Sequence, residues 1–490
     1  MATAMAAMVN MAKNNNNHAV LLLLLLPAGA WAGDWKFTPL FAVNERYSDN
    51  VSLSTTNPES SFLTEISPGF KLSRHGAKGS LAVDYGLQGL FYSHDSGANS
   101  FNNQLSAILK SELVDESFFV DATARISQQN NSLTGATGTS NYNITGNSSE
   151  VRTVSLAPSW RARFGSQAQL DARWQLTYSD SDNGTIANVA GNSFSLSLNS
   201  GTAVNRFPWS LTYRLQGNNG NASADRNSSV SGSMGYIASP KMRLTLSMGK
   251  DSNNGATTAF NQAGGAFWNL GLNWNPFTRT NLGVTIGHRF SGNSYGLDFS
   301  HRTRKTTWAL RYSEDISQLY DQISGTDVYL CNGIQVSVPA GSLPDSASCP
   351  GPILINRFTG PTQLINDTSL SKSLTGAATY QAGKSTFSLS LSSSRRQQLS
   401  TGVSDDSRSV GASWTFKISP RLTSTLSMTS NQADTVGSQS DDWTLFWLLS
   451  RQLTQKTTGS VEIRRAERDS GSTTGPYKEN SVSARVNMSF

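Results

Sequence analysis

The ten residues SVSARVNMSF, at positions 481–490, alternate between polar and apolar side chains. The apolar members are Val482, Ala484, Val486, Met488 and Phe490. A period of two residues is typical of a β-strand with one apolar and one polar face. The alternation continues to the final residue, whereas a soluble domain usually has a few unpatterned residues at its terminus. The stretch therefore predicts a strand that belongs to a sheet as far as Phe490.

The same alternation recurs along the whole sequence. A clear example is SQAQLDARWQLTYSD, residues 166–180, whose apolar members are Ala168, Leu170, Ala172, Trp174, Leu176 and Tyr178. About 22 segments follow the pattern, with a margin of two to four, and each is near the ten residues that a tilted membrane strand requires. Apart from Trp31, every tryptophan falls on the apolar face of its segment. The pattern indicates an all-β chain with little room for helices.

Composition favours a membrane barrel over a soluble fold. Charged residues make up 15% and hydrophobic residues 37% of the chain, both below the usual globular values. A large soluble core requires more apolar residues, but in a membrane barrel lipid covers the apolar face. Disorder also lowers hydrophobicity, but it excludes the aromatic residues and the periodicity seen here. The net charge of +6 is too small to predict nucleic-acid binding.

The N-terminal residues predict export. Lys13 precedes the apolar run AVLLLLLL at positions 19–26, and Ala30-Trp31-Ala32 matches a small-x-small cleavage site. The run is too short to span a bilayer as a helix. We expect residues 1–32 to be a cleaved signal peptide and residues 33–490 to be the mature chain.

The connections between the segments predict the topology. Short turns at 165–167, 239–241, 275–279, 382–384 and 419–421 alternate with longer connections at 48–60, 129–149, 180–191 and 314–367. Short periplasmic turns and long outer loops are typical of outer-membrane barrels. We therefore expect an antiparallel up-and-down transmembrane β-barrel in the outer membrane, with a long outer loop at 314–367. Because a strand begins almost immediately after the signal peptide, we expect no plug domain.

The C-terminal pattern has a further meaning in a barrel. The last strand must pair with the first to close the sheet, and an aromatic residue after alternating residues resembles the signal that the barrel-assembly machinery recognises. The residues of this β-signal are Val482, Val486, Met488 and Phe490.

Two stretches carry a resemblance to a known family. GDWKFTPLFAVNERYSDNVSLS begins at Gly33, and SFLTEISPGFKLSRHGAKGSLAVDYGLQGLFY begins at Ser61. Their D-W-x-F-x-P and E-I-S-P-G-F patterns resemble a family of uncharacterised outer-membrane barrels associated with the PEP-CTERM/exosortase system of Gram-negative bacteria. The resemblance implies a link to exopolysaccharide biosynthesis and secretion, and it implies no demonstrated activity.

No residue pattern predicts catalysis or a cofactor. Gly292–Gly296 matches Gly-x-Ser-x-Gly, but the nucleophile elbow needs a helix after the serine, and here a strand pattern follows. The histidines lack metal-ligand spacing. Cys331 and Cys349 lie in one exported loop, so we expect them to form a disulfide there.

The polar face of the strands carries more basic than acidic residues. The acidic set is Glu65, Asp84, Asp121, Asp171, Asp298 and Glu462. The candidates for a lumen charge are Arg125, Arg161, Arg163, Arg173, Arg214, Arg243 and Arg311, and the same face carries Lys71, Lys110, Arg289, Arg464 and Arg485. This excess favours anions in a pore. The alternative is that each arginine pairs with a carboxylate and braces the wall.

Three functions are compatible with these patterns, and none is enzymatic. The first is a conduit or secretion-associated pore for polysaccharide, and the second is a general porin or uptake channel. The third is a structural anchor for other secretion components. The expected partners are outer-membrane lipid, the barrel-assembly machinery and polysaccharide-secretion components, with no nucleic acid.

Overall fold

The computed structural model describes residues 34–132, 134–136, 141–182, 188–219, 224–253, 264–317, 326–331, 334–339, 353–356, 368–469 and 475–490. The predicted signal peptide and Cys349 lie outside these residues, so the cleavage site and the disulfide stay predictions. None of the helices in this part of the chain is long and apolar enough to cross a bilayer.

The described residues form 25 strands, and 22 of these make up a single antiparallel sheet. The wall strands are β1 (Trp35–Ser48), β2 (Ser61–Gly76), β3 (Gly79–Tyr92), β4 (Ser100–Val114), β5 (Phe118–Asn130), β6 (Ser148–Phe164), β7 (Ala168–Ser181), β8 (Val189–Ser200), β9 (Trp209–Asn219), β10 (Ala224–Ser239), β11 (Met242–Asn253), β12 (Gly265–Phe277), β13 (Thr280–Arg289), β14 (Gly292–Arg302), β15 (Thr306–Ser317), β19 (Ser369–Ala382), β20 (Ser385–Gln398), β21 (Ser404–Ser419), β22 (Leu422–Thr435), β23 (Ser438–Gln452), β24 (Thr457–Arg468) and β25 (Tyr477–Ser489). The remaining strands, β16 (Thr326–Cys331), β17 (Ile334–Pro339) and β18 (Ile353–Asn356), form a separate small sheet.

The sheet closes on itself through its first and last strands. β1 pairs with β25 from Leu40 opposite Ser489 to Ser48 opposite Ser481. The Phe490 amide also donates a hydrogen bond of 3.0 Å to the Pro39 carbonyl. The prediction of a closed antiparallel barrel of about 22 strands is confirmed, and the C-terminal residues form its last strand.

The two faces of the wall differ sharply. Residues paired across neighbouring strands point to the same side of the sheet, so the register assigns each position to the lumen or to the outer face. The outer face carries large apolar side chains that stay exposed in the isolated chain, such as Phe37 at 59% and Trp160 at 48%. Every tryptophan of the wall lies on this face, as predicted. Such a surface requires lipid to cover it.

The connections at the two ends of the barrel differ in length. At the end where β1 begins, most are two or three residues long, such as 77–78, 240–241 and 420–421. At the other end they include 49–60, 131–147 and 318–368. We call these ends the periplasmic rim and the outer mouth, following the usual asymmetry of outer-membrane barrels. The predicted loop boundary at 314 is wrong, because residues 314–317 continue β15 and pair with residues 369–372 of β19.

Two outer connections fold against the inside of the mouth. We call the described residues of 49–60 and 131–147 the loop cap. Val51 and Tyr142 of the cap are buried against inward side chains of β2 and β3, namely Leu63, Leu90 and Tyr92. The Tyr92 hydroxyl donates to the Tyr142 carbonyl at 2.7 Å. The loop cap therefore covers the sector of the mouth next to the β1–β25 closure.

Candidate functional site in the lumen

One sector of the lumen wall, from β8 to β22, is lined by small neutral side chains. We call it the hydroxyl sector. Its inward positions include Ser193, Ser195, Ser197, Ser229, Ser231, Ser233, Ser371, Ser373, Thr375, Ser388, Ser390, Ser392, Ser394, Ser407, Ser409 and Ser413. Glycines occupy further inward positions. At Gly287 a Cβ atom would lie 2.1 Å from the Asn269 side-chain oxygen, so no larger residue fits there without movement. The sector is lined mainly by small polar side chains, and its few charged side chains include the pairs Arg289–Asp251 at 2.7 Å and Arg396–Asp405 at 3.9 Å.

The opposite sector, from β23 through β1 to β7, is lined by ion pairs. The Glu462 carboxylate lies 3.3 Å from the Arg46 guanidinium and 3.0 Å from that of Arg464. Further pairs across the wall are Arg485–Glu65 at 3.7 Å, Lys71–Asp84 at 3.0 Å, Arg161–Asp171 at 2.9 Å and Arg173–Asp121 at 2.7 Å. Most pairs join neighbouring or next-but-one strands, so they hold these strands together and also place charged groups along the lumen.

The register places all seven predicted lumen arginines on the inward face, and six of them fall into two groups. Arg161 and Arg173 form the ion pairs just given, and Arg163 binds Glu116 of the next turn at 2.6 Å. Arg214, Arg243 and Arg311 lie in the hydroxyl sector, and among the described residues none of the three forms a salt bridge. Arg125 lies between Ser106 and Thr153 of the adjacent strands. Bracing therefore explains the first group and leaves the second available to ions.

Sequence reasoning missed the polar contacts that hold the loop cap in place. Glu479, which is 2% exposed, accepts hydrogen bonds from Ser48 at 2.7 Å, from Asn143 at 3.1 Å and from Tyr142 at 3.4 Å. The guanidinium of Arg46 lies 4.1 Å from the centre of the Tyr142 ring. The alternation does place Glu479 on the inward face, but no local pattern indicates which loop it binds.

A second clamp lies at the outer end of β24. Arg468 is 0% exposed, and its guanidinium donates to the Asp442 carboxylate at 2.5 and 2.9 Å. It also donates to the backbone carbonyls of Thr134 at 2.9 Å and Gly135 at 2.7 Å. The Arg468 side chain thus joins the loop cap to the barrel wall.

The geometry around Ser294 differs from that of a nucleophile. The Gly292–Gly296 segment forms the start of β14, and the Ser294 hydroxyl donates to Asn269 at 3.3 Å. In the described ranges no group of three His, Cys, Asp or Glu residues is arranged to hold a metal ion.

Comparisons with protein-family models and with curated proteins gave no match. Among solved structures, the ferric enterobactin receptor of Pseudomonas aeruginosa matches with a TM-score of 0.52 and 12% identity, over 93% of this chain and 80% of that one. The siderophore receptor PirA of Acinetobacter baumannii matches with a TM-score of 0.51 and 10% identity, over 92% and 80%. The FrpB iron transporter of Neisseria meningitidis matches with a TM-score of 0.51 and 11% identity, over 93% and 82%.

At these identities the similarity concerns the fold. The closed 22-stranded wall, its apolar outer face and the match to these receptors define the chain as an outer-membrane β-barrel. The ligands that give those receptors their names are properties of those proteins.

The grouping of the arginines predicts which of them set ion selectivity. We expect the double variant Arg214→Glu, Arg311→Glu to shift the reversal potential in planar bilayers toward cations, because both charges face the lumen and form no salt bridge with any described residue. The shift should fade in concentrated salt, where the screening length falls to about 3 Å at 1 M.

The matched control exchanges the charges of a paired site. The variant Arg161→Asp, Asp171→Arg keeps the net charge and the pair, so its reversal potential should equal that of the wild type. Equal shifts in both variants would contradict the division into bracing and free arginines.

Proposed function

We propose that this barrel is an outer-membrane conduit through which exopolysaccharide leaves the cell. The observation that carries the proposal is the hydroxyl sector of the lumen wall. Conduction requires binding sites that are weak and numerous, so that a passenger enters and also leaves. Short hydroxyl side chains offer a hydrated polymer many exchangeable hydrogen bonds and no deep pocket, which suits a polysaccharide.

The link to a particular secretion system rests on the sequence. The D-W-x-F-x-P pattern beginning at Asp34 lies at the start of β1, and E-I-S-P-G-F, residues 65–70, lies in β2. Their resemblance to PEP-CTERM/exosortase-associated barrels is the support for exopolysaccharide secretion as the context.

An uptake channel is the second candidate. It is favoured by the similarity of the wall to a ferric enterobactin receptor and a siderophore receptor. A third candidate, an anchor for secretion components, predicts no permeation at all. The conduit moves a polymer out of the cell, whereas an uptake channel moves its substrate inward and an anchor moves none.

Deleting the gene and restoring it on a plasmid distinguishes the candidates. For the conduit we expect loss of cell-surface polysaccharide, its recovery on complementation, and unchanged growth on ferric siderophores as the iron source. Lost growth on ferric siderophores with normal polysaccharide would favour uptake and overturn the conduit.

A reconstituted protein separates the conduit from the anchor. We expect ionic current across planar bilayers, and we expect neutral dextrans small enough to enter to reduce that current reversibly. No current from the wild type and from the Arg468→Met variant, in which a clamp of the loop cap is removed, would favour the anchor.

A further inference from the structure

The periplasmic rim carries an uninterrupted series of basic residues from the end of β8 to the start of β24. The stretches 199–210, 239–243, 275–281, 302–307, 381–386, 416–422 and 450–457 contain no Asp or Glu. We call their Lys and Arg residues the basic arc: Arg206, Lys241, Arg243, Arg279, Arg302, Arg304, Lys305, Lys384, Lys417, Arg421, Arg451 and Lys456. All of them are exposed at the surface of the rim.

The charges of the basic arc are not neutralised by the protein. No salt bridge in the described part of the chain includes any of them. The rest of the rim is different, because Lys78 lies 2.5 Å from Asp115, and Arg163 binds Glu116. The hydrogen bond and the charge of Asp115 raise the pKa of the Lys78 amine above its usual range. Carboxylates therefore form salt bridges with basic residues elsewhere at this rim, but among the described residues none does so with the basic arc.

The arc also concentrates the charge of the molecule. The chain has 39 Lys and Arg against 33 Asp and Glu, and the arc alone exceeds that excess, so the remaining residues are net acidic. Neighbouring periplasmic turns are two strands apart, which corresponds to roughly 10 Å along the rim. That distance is close to the screening length of about 8 Å at physiological salt, so the fields of adjacent turns overlap.

Part of the arc faces the pore. Arg243 of β11, Arg302 of β14 and Lys417 of β21 occupy inward positions at the ends of their strands, whereas Arg451 of β23 faces outward. Arg302 also lines a cleft of about 1000 Å³ at the rim together with Arg279 and Arg304. Arg214 and Arg311 of the hydroxyl sector, which form no salt bridge among the described residues, lie farther inside the same part of the wall.

We propose that the basic arc is a docking surface for an anionic polysaccharide at the periplasmic entrance of the barrel. This inference rests on the conduit proposal and specifies its cargo as a carboxylated polymer. A single small anion spans one turn, but a chain of carboxylates spans several turns about 10 Å apart, and its binding gains from multivalency. The inward members of the arc then direct the bound chain into the lumen.

The test uses the full-length protein in nanodiscs of phosphatidylcholine, which carries no net charge. The probe is fluorescent polygalacturonate, with dextran as its neutral counterpart and monomeric galacturonate as competitor. The arc variant is Arg279→Gln, Arg304→Gln, Arg421→Gln. The matched control removes three exposed charges at the outer end of the wall: Arg226→Gln, Lys250→Gln, Arg408→Gln.

We expect the wild type and the control to bind polygalacturonate with equal affinity, and we expect the arc variant to bind at least tenfold more weakly. Binding should weaken steeply with salt, dextran should not bind, and galacturonate should not compete at the same carboxylate concentration. Equal binding by the arc variant, equal binding of dextran, or full competition by the monomer would each overturn the proposal.

Two further results separate this inference from its alternatives. If the arc instead binds lipid phosphate, its substitution will reduce binding to phosphatidylglycerol vesicles and leave polygalacturonate binding unchanged, which overturns the docking surface. Polygalacturonate binding by a protein that conducts no current would leave the docking surface standing and count against the conduit itself.

Discussion

Replacement of Phe490 by Asp will leave the barrel able to fold in detergent and unable to insert efficiently in cells. In the structure the Phe490 ring points outward and is 62% exposed, and its amide bonds to the Pro39 carbonyl whatever the side chain. A charge on the lipid face near an interface costs only about 0–1 kcal/mol. The free energy of folding should therefore change little. A large loss of insertion in cells would reflect recognition of the β-signal during assembly.

The measurement is heat-modifiable gel mobility of outer-membrane fractions, compared with refolding of the purified variant in detergent. Phe490→Leu keeps an apolar C-terminus and serves as the mild control. Val486→Arg serves as the severe one, because it places a charge within the apolar band and should fail in both settings at a cost of about 2–4 kcal/mol. Normal insertion of Phe490→Asp in cells would contradict the predicted β-signal.

The second large effect is expected at Arg468. Replacing it by Met removes the partner of Asp442 and leaves the carbonyls of Thr134 and Gly135 without their donor. Breaking a buried ion pair in this way typically costs about 3–5 kcal/mol. Because the contacts join a loop to the wall, we expect the loss to appear as local opening of the loop cap rather than as unfolding of the barrel.

Limited digestion by proteinase K checks this expectation. Cleavage within 131–147 should become faster in Arg468→Met, the barrel should keep its heat-modifiable mobility, and the channel current should rise. Arg396→Met is the control, because Arg396 and Asp405 also form a buried pair but lie on β20 and β21, away from the loop cap. Unchanged cleavage in Arg468→Met, or the same acceleration in the control, would show that Arg468 does not hold the loop.

Most of the wall could be predicted from the sequence because barrel strands repeat one simple rule. The side chain must alternate between lipid and water, and this rule is local. It placed the tryptophans on the outer face and the turns at 165–167 and 419–421. The rule fails at strand ends above the membrane, where both faces meet water. Residues 314–317 therefore looked like loop although they pair with β19.

The lumen was less predictable, for two physical reasons. Pairing such as Arg173 with Asp121 joins residues on different strands, so charge counting cannot distinguish bracing residues from free ones. The contacts of Arg468 with Thr134 and Gly135 likewise join distant parts of the chain. The basic residues of the arc can be read from the sequence, since turns such as SPK and SPR each contain one Lys or Arg. Their arrangement as one arc requires the sheet topology, which brings the turns together at one rim.

The register between β15 and β19 bears on how the outer surface of the barrel can change during evolution. Thr306–Ser317 pairs without interruption with the first strand after the long connection, so a two-residue turn would satisfy the same hairpin. The intervening segment, which includes the small sheet of β16, β17 and β18, is therefore an insertion into a hairpin whose pairing does not depend on it. Each doubling of loop length costs only about 0.6 kcal/mol. Lineages can thus exchange or lose this segment, and engineers can replace it with a foreign epitope for display on living cells, while the wall beneath it stays the same.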